Sequence, residues 1–487
     1  MDEVRRGTGD RRSRSLSRVY GARVMSYDLV ITNGTLVTES GLLEADVAAE
    51  DGTIAAIGSH GSLEAEEIID ADEKHVLPGA IDPHTHHGIY NSLAEDANTE
   101  SRSDLVGGVT TTGNFFRRPG SYEKIMDDYV EAAESNYRHD YFFSLGLLSF
   151  EHVEEIPTII DEFGITTFKW YMNYKYAASE KFGVDCEMRD DFGSKFIETL
   201  AKQDEPTTLG YHSENVEITN ALAGGNPYIE TEADETAEEE EYEVFVEEFP
   251  DYAEAQSLVA GASLARQHGY DDSFYAVHVS AGRTADELAT LQEAGYDVTG
   301  ETCTHYLTLT SEECDDRMKV NPPVRHAEDQ ETLWNRLADG TISCIGTDHC
   351  ANTTDEKIGE TIRESKLGFP SSGTMLPLIL SEGVNEGRIS LERAVDVTST
   401  NTAKAWNLYP KKGTVRVGSD ADLVVVDLEE TKTVTPERLQ SVADYSIYDG
   451  RAVTGWPTQT IVGGELAYEE GQVLAEPGTG THVDRPL

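Results

Sequence analysis

The stretch AIDPHTH, residues 80–86, is a short apolar run that ends in two histidines. Further apolar runs follow it along the chain, separated in most cases by helical patterns such as YEKIMDDYVEAAESNY (122–137). These runs are VTTTGNFF (109–116), YFFSLGLL (141–148), TTFKWYM (166–172), TLGYHSEN (208–215), FYAVHVS (274–280), DVTGETCTHYL (297–307) and ISCIGTDH (342–349). With residues 80–86 they make eight strand–helix units, the number that closes a parallel sheet. The sequence therefore predicts an α/β fold of the TIM-type (β/α)8 barrel class.

Both ends of the chain show a different pattern, with short alternating strands and tight turns. Residues 28–38 (DLVITNGTLVT) and 44–58 (EADVAAEDGTIAAIG) contain Asn-Gly and Asp-Gly turn signals. Residues 413–429 (GTVRVGSDADLVVVDLE) and 458–474 (TQTIVGGELAYEEGQVL) return to this style. The chain is thus predicted to have two β-rich ends around the barrel.

The charge of the chain is strongly negative. It has 91 acidic and 38 basic residues, a formal net charge of −53, and the acids are spread over its whole length. Nucleic acid is excluded as a partner by this balance, since phosphate binding needs basic patches. Adaptation to a salty cytoplasm, where counterions screen the repulsion, is favoured over an ordinary acidic surface. The five cysteines show no C-x-x-C spacing, which argues against a disulfide framework and favours a cytoplasmic location. No stretch approaches the ~20 apolar residues of a membrane span.

Residues 1–25 differ in composition from the rest of the chain, because they carry seven arginines and three acids. An Arg- and Ser-rich start resembles a transit peptide. The alternative, a start site placed too early with Met25 as the initiator, is favoured because a strand pattern begins directly after it. We expect this leader to be disordered. A second unusual segment, residues 230–251, is sharply acidic and is interpreted as a solvated loop or helix rather than a lid.

Ionisable side chains recur at the ends of the predicted barrel strands. His84 and His86 are two residues apart, so on a strand their imidazoles face the same side. Lys169 lies inside the apolar run 166–172, where a lysine is costly unless it is paired or modified. Three more candidates end other runs: His212, His278 and Asp348. Imidazole and carboxylate groups meeting at one barrel end predict a site for zinc or a similar first-row metal ion.

From about Tyr27 to its C-terminus the chain resembles the cyclic amidohydrolases of the hydantoinase and dihydropyrimidinase group. The motifs that carry the resemblance are PGAIDPHTH, TTFKWYMNY, YHSEN, VHVSAGRTADEL, GETCTHYLTL, NPPVR, IGTDHC, KGTVRVGSDADLVVVD and DYSIYDGRAVTGWP. The resemblance implies a small β-sandwich built from both chain ends beside the barrel, and a homotetramer. The expected domains are residues 26–77 and 409–487 for the sandwich and tail, and 78–408 for the barrel.

The resemblance also implies a role for each candidate residue. His84, His86 and Asp348 would bind one metal ion, and His212 and His278 the second. Lys169, carbamylated by carbon dioxide, would bridge the two ions. A bridging hydroxide would attack the ring amide carbonyl of a small cyclic ureide, with Asp348 moving the proton to the leaving nitrogen. The remaining implied residues are Tyr174 for oxyanion support, and Asn321 and Ser371 for holding the ring.

The residues around the metal motifs depart from the group's pattern. Dihydroorotases carry a carboxylate-binding arginine two residues after the second histidine, where this chain has Gly88. Arg117 and Arg118, after the second run, are placed to reach the same pocket, and the N-P-P of the NPPVR motif leans towards dihydroorotases. The leading hypothesis is hydrolysis of a hydantoin or dihydropyrimidine, with dihydroorotase or allantoinase as the alternative. A non-catalytic assembly or signalling relative is disfavoured, since such relatives lose ligands and all six are present here.

Overall fold

The structure is a computed structural model that describes residues 26–227, 242–483 and 485. The expectations for the leader (1–25) concern residues outside this described part. The same holds for the acidic segment up to residue 241, whereas residues 242–248 form a helix.

The strands of the described part, in chain order, are β1 (Tyr27–Thr32), β2 (Thr35–Thr38), β3 (Gly41–Glu44), β4 (Asp46–Glu50), β5 (Thr53–Gly58), β6 (Ala65–Asp70), β7 (His75–Pro78), β8 (Ala80–Thr85), β9 (Val109–Phe116), β10 (Asp140–Gly146), β11 (Thr167–Tyr171), β12 (Thr208–His212), β13 (Ser273–Ala276), β14 (Val298–Cys303), β15 (Ile342–Gly346), β16 (Leu423–Thr433), β17 (Ala452–Val462), β18 (Glu465–Glu469) and β19 (Gln472–Val473).

The α-helices are α1 (Leu93–Val106), α2 (Met126–Glu134), α3 (Phe150–Phe163), α4 (Ala178–Phe182), α5 (Asp190–Leu200), α6 (Val216–Leu222), α7 (Tyr242–Glu248), α8 (Asp251–Gln267), α9 (Gly282–Glu293), α10 (Thr304–Thr308), α11 (Ala327–Asp339), α12 (Thr354–Lys357), α13 (Met375–Leu378), α14 (Leu391–Val395), α15 (Asn401–Ala405) and α16 (Pro436–Leu439). Short 3₁₀ turns lie at Met172–Tyr174, Ser311–Glu313, Asp316–Met318 and Ser372–Thr374, and π-helical turns at Ile379–Asn385 and Asp396–Thr400. Among the described helices, none combines the length and apolar character needed to cross a lipid bilayer.

Strands β8 to β15 form one parallel sheet in chain order, which confirms the predicted barrel. A parallel bridge between Thr85 and His349 joins the first strand to the segment after the eighth. The backbone N–H of His86 donates to the carbonyl of His349 at 2.7 Å, so the ring of strands closes at the residues that carry the two-histidine motif. Because all these strands run in the same direction, their carboxyl ends meet at one mouth of the barrel.

The barrel interior is packed with aromatic side chains. Trp406 lies against the rings of Phe115, Phe142 and Tyr275, at centroid distances of 5.8, 5.5 and 4.8 Å. Val483, near the C-terminus, belongs to the same apolar cluster. The interior is therefore filled by side chains, as expected for an eight-stranded barrel.

The two ends of the chain combine in a β-sandwich. Its sheets have the strand orders β5-β4-β1-β6 and β19-β18-β17-β16-β7-β2-β3. Strand β7, from the N-terminal part, pairs antiparallel with β16, from the C-terminal part. The core between the sheets draws on both ends, with Leu29 and Val47 packing beside Leu423 and Ile461. The expected sandwich is therefore confirmed, while the exact domain limits stay a prediction.

A buried lysine ties the sandwich to the barrel. The side chain of Lys412 is 1% exposed, and its Nζ lies 2.6 Å from Asp140, 2.6 Å from Asp422 and 3.0 Å from Asp420. Asp140 begins barrel strand β10, whereas the other two carboxylates precede sandwich strand β16. Burial lowers the pKa of a lysine, but the surrounding carboxylates outweigh it and raise the pKa of Lys412 above its ordinary range. The ammonium occupies the centre of this acidic cluster, so we interpret the cluster as structural.

We predict that Lys412→Met destabilises the protein by about 3–5 kcal/mol, since removing one partner leaves buried carboxylates without their cation. The free energy of unfolding is measured by urea denaturation at constant molar salt. Lys411→Met, at the exposed neighbouring lysine, is the matched control and should change stability by less than about 0.5 kcal/mol. Equal losses in the two variants would contradict the structural role of Lys412.

Candidate metal centre

The six predicted ligands lie together at the carboxyl-end mouth of the barrel. Five of them are at or just beyond the end of a barrel strand, Lys169 lies within β11, and each is at least nine-tenths buried. They are His84, His86, Lys169, His212, His278 and Asp348. The closed parallel sheet brings these side chains together from positions up to 264 residues apart in the sequence.

Asp348 lies between the two histidines of the first motif. Its Oδ1 is 3.0 Å from His86 Nε2 and 3.3 Å from His84 Nε2. One donor atom from each of these three residues lies within 4.8 Å of the other two, which is the arrangement of a metal-binding group. The Nδ1 of His86 faces the backbone carbonyl of Phe115 at 3.1 Å, so its ring orientation is held from behind.

Lys169 is 1% exposed and lies on the inner wall of the barrel. Its Nζ is 2.9 Å from His84 Nε2, 4.3 Å from the ring centre of Phe115 and 4.7 Å from that of Tyr171. Burial lowers the pKa of Lys169 to about 7, because an ammonium ion is poorly solvated there. The amine is thus held in a surrounding that favours its neutral, nucleophilic form.

The other two histidines extend the cluster to one side. The rings of His212 and His278 lie 4.5 Å apart between centroids, and His278 stacks on His84 at 5.3 Å. Beside them the amide of Asn321 lies 3.4 Å from His212 Nε2 and donates to Glu214 Oε2 at 3.0 Å. Asn321, predicted to hold substrate, is therefore placed directly against His212.

Two of the candidate ligands adopt left-handed backbone conformations. The φ angle is +41° at His278 and +52° at Asp348, each two residues past the end of its strand. A non-glycine residue there costs of order 1–3 kcal/mol and is found where the surrounding structure enforces it. In both cases the turn carries a side chain into the cluster, so the strain is associated with ligand placement.

Glu301 is a site residue that the sequence reasoning missed. It is fully buried near the end of β14, and its Oε1 lies 2.7 Å from His84 Nδ1 and accepts from the backbone N–H of His278 at 3.0 Å. Burial raises the pKa of Glu301 to about 8. Such a carboxylate behind an imidazole sets the tautomer and orientation of the ring. The available signal was an acid inside a buried run, the same signal that identified Lys169.

The end of β15 packs tightly against this carboxylate. A Cβ atom at Gly346 would lie 2.8 Å from the carboxyl carbon of Glu301 and 3.0 Å from the Cβ of His84. A glycine is needed here for space, which allows the eighth strand to approach the first.

Asp82, in the D-P-H-T-H motif, fixes the loop that carries Asp348. Its carboxylate accepts from the hydroxyl of Thr347 at 2.5 Å and from the backbone N–H of His84 at 3.1 Å. Burial raises the pKa of Asp82 to about 8. This aspartate therefore links the two ends of the closed sheet immediately beneath the candidate ligands.

The remaining predicted residues lie around the cluster. Tyr174 is 4% exposed, in the 3₁₀ turn after β11, with its ring 5.5 Å from that of Tyr171. The Ser371 hydroxyl donates to the carbonyl of Thr347 at 3.1 Å, and its backbone N–H donates to His349 Nδ1 at 3.1 Å. The ring of His349 thus positions the loop of Ser371.

The donor set of the cluster fits divalent metal ions. Burial lowers the pKa of all four imidazoles, that of His86 to about 3. A neutral imidazole is the form that binds a metal. Although burial opposes it, the neighbouring imidazoles, with a hydrogen bond from His86, hold the pKa of Asp348 well below its ordinary value.

Comparison with known proteins places the chain among amidohydrolases. Residues 225–467 match the model of the amidohydrolase family, and residues 2–78 match that of the urease alpha-subunit N-terminal domain. The D-hydantoinase of Geobacillus stearothermophilus is 31% identical over 475 residues, covering 94% of this chain and 96% of the relative. The L-hydantoinase of Paenarthrobacter aurescens is 32% identical over 479 residues, covering 94% and 98%.

Solved structures show the same likeness. The dihydropyrimidinase from Brevibacillus agri NCHU1002 superposes with a TM-score of 0.83 at 29% identity, covering 94% of this chain and 98% of that one. The L-hydantoinase (dihydropyrimidinase) from Arthrobacter aurescens gives 0.84 at 30% identity, covering 94% and 100%.

We predict that Glu301→Gln weakens divalent-metal affinity about 10- to 100-fold, because His84 loses the carboxylate that orients it. Affinity is measured by competition with a chromogenic chelator. Glu293→Gln, which makes the same change at an exposed helix end, is the control and should leave affinity unchanged. Unaltered affinity in Glu301→Gln would show that the carboxylate does not support His84 in this way.

Proposed function

Since the chain belongs to the hydantoinase and dihydropyrimidinase family of amidohydrolases, we propose that it hydrolyses a C–N bond of a cyclic ureide, a hydantoin or dihydropyrimidine ring. The observation that carries this proposal is the cluster of six buried side chains at the barrel mouth, linked through His84. Four neutral imidazoles, a carboxylate and a buried amine have no shared structural purpose in a barrel core, where apolar side chains pack better.

The six residues divide into two sets of ligands. His84, His86 and Asp348 hold one divalent ion, and His212 and His278 hold the second. Lys169, whose Nζ lies 2.9 Å from His84 Nε2, would bridge the two sets. Ions bound in this way supply Lewis acidity towards a carbonyl oxygen and an activated water as nucleophile. We propose zinc as the metal, since imidazole and carboxylate ligands suit it.

We propose that Lys169 is carbamylated, because this modification accounts for a lysine that is buried at this position. The neutral amine attacks carbon dioxide, an N–C bond forms, and one proton leaves the nitrogen. The product is a carbamate anion, a group that can contact both ligand sets. The low pKa that burial imposes on Lys169 is in keeping with the first step, which needs the unprotonated amine.

The remaining proposed roles concern protons and substrate. Asp348, whose Oδ1 lies 3.0 Å from His86 Nε2, accepts a proton from the water and passes it to the leaving ring nitrogen. The hydroxyl of Tyr174 donates a hydrogen bond to the carbonyl oxygen of the substrate as negative charge develops there. Asn321 and the loop at Ser371 hold the amide edge of the ring. Within that loop the Ser371 hydroxyl already donates to Thr347 and its backbone N–H to His349.

The setting of the enzyme belongs to the proposal as well. A net charge of −53 supports a function in a salt-rich cytoplasm, where counterions screen the repulsion between acids. Family resemblance supports a homotetramer. Both D- and L-hydantoinases are about equally similar to the chain, so the proposal does not extend to a preferred enantiomer.

We predict that Lys169→Ala loses metal and ring-opening activity, because the bridging group is removed, and that short carboxylates such as acetate or propionate partly restore both. Metal content is measured by elemental analysis and activity by release of the carbamoyl product. Lys195→Ala, at an exposed lysine of α5, should retain both. Full metal content in Lys169→Ala would refute the bridging role.

The proposed function is tested by assaying the metal-loaded protein in molar KCl against hydantoin, dihydrouracil, dihydroorotate and allantoin. We expect about two metal ions per chain and opening of a ring in this panel, with the preferred ring setting the finer assignment. Turnover of dihydroorotate or allantoin alone would change the assigned substrate but leave the proposed ring-opening reaction unchanged. A protein that retains no metal and opens no ring would instead be a non-catalytic relative.

A further inference from the structure

An arginine lies at the edge of the candidate metal centre. Arg117 directly follows barrel strand β9, and its guanidinium carbon is 5.2 Å from the ring centre of Tyr171 and 5.5 Å from that of Tyr174. The ring of Tyr171 also lies 4.7 Å from the Nζ of Lys169. Arg117 and Lys169 are therefore neighbours of the same aromatic ring, at the mouth of the barrel.

Arg117 forms no ion pair with a carboxylate anywhere in the described part of the chain. This is unexpected, because acidic residues outnumber basic ones by 91 to 38. The next residue, Arg118, is used differently: its guanidinium donates to the backbone carbonyls of Gly88 and Arg117. The contacts of Arg117 and Arg118 thus differ, although nothing in the sequence distinguishes the two residues.

A second hydrogen-bond donor, the hydroxyl of Tyr171, lies beside Arg117. Tyr171 is 3% exposed, and within the described residues no carboxylate or carbonyl oxygen accepts a hydrogen bond from its buried hydroxyl. A partly buried guanidinium and a buried hydroxyl thus lie side by side, and neither contacts a carboxylate within the described residues.

A carboxylate is the anion that this pair fits. The planar fork of a guanidinium matches the two oxygens of a carboxylate, and such charge-assisted hydrogen bonds are strong away from bulk water. An anion bound here lies beside the proposed reaction centre and so belongs to the same small molecule as the ring.

We propose that the substrate ring carries a carboxylate, on a ring carbon or a short side chain, and that Arg117, assisted by Tyr171, binds it. This inference rests on the proposed function, cyclic ureide hydrolysis, and names its substrate class. Arg117 is a specificity-determining residue, because its charge is unmatched when a neutral ring occupies the site.

The test compares matched substrates that differ in the carboxylate: dihydroorotate with dihydrouracil, and hydantoin-5-acetate with 5-ethylhydantoin. For the metal-loaded full-length protein in molar KCl, kcat/KM is expected to be higher for the carboxylate member of each pair. Arg117→Gln should lower this ratio about 10- to 100-fold, mainly through KM, as expected for loss of a hydrogen bond to a charged group. Arg117→Lys should restore part of the ratio, and Arg118→Gln should leave the ratio unchanged.

A wild-type preference for the neutral member of both pairs would overturn the proposal, as would an equal loss of activity on both members in Arg117→Gln. If no ring opens at all, the proposed function fails, and calorimetry then decides the carboxylate site separately. The carboxylate site would be supported if the protein binds dihydroorotate but not dihydrouracil and Arg117→Gln abolishes this binding. Equal binding of the two compounds would reject the carboxylate site.

Discussion

The burial of a lysine amine on the inner wall of the barrel is the constraint around which the site is organised. The interior disfavours an ammonium ion, so Lys169 has either to be neutral or to become an anion. Its closest polar contact is an imidazole nitrogen of His84 at 2.9 Å. The imidazoles around it are neutral for the same reason, since burial lowers their pKa. Desolvation therefore prepares both the amine and the histidines for the roles that we propose.

The parallel sheet supplies the geometry that this chemistry needs. Its closure brings His84 and Asp348, from the first and last strands, within 3.3 Å of each other. Asp82 links the same two strands below them through Thr347. The strained backbone at His278 and Asp348 is held by this buried network, in which Glu301 accepts from the N–H of His278. The buried contacts beneath the site thus offset the cost of the two strained backbone conformations.

Parts of the site were predictable and parts were not, and individual residues show why. Lys169 was recognisable because a lysine in a buried run is costly by itself. Glu301 carried the same local signal, but its partner His84 is 217 residues away and no local rule connects them. Arg117 and Arg118 are adjacent and chemically identical, so only the contacts of the folded chain show that one holds a loop and the other faces the site.

The sequence by itself determined the class of fold and the type of chemistry. Apolar runs that alternate with helical patterns, and ionisable residues at the ends of those runs, are local properties that follow from backbone geometry and the cost of burying charge. The tertiary structure alone decided which groups meet: the support of His84 by Glu301, the use of Lys412 to join sandwich and barrel, and the exposure of Arg117 to the site. These contacts depend on strand register and barrel closure, which bring distant residues within hydrogen-bond reach and leave no trace in local sequence.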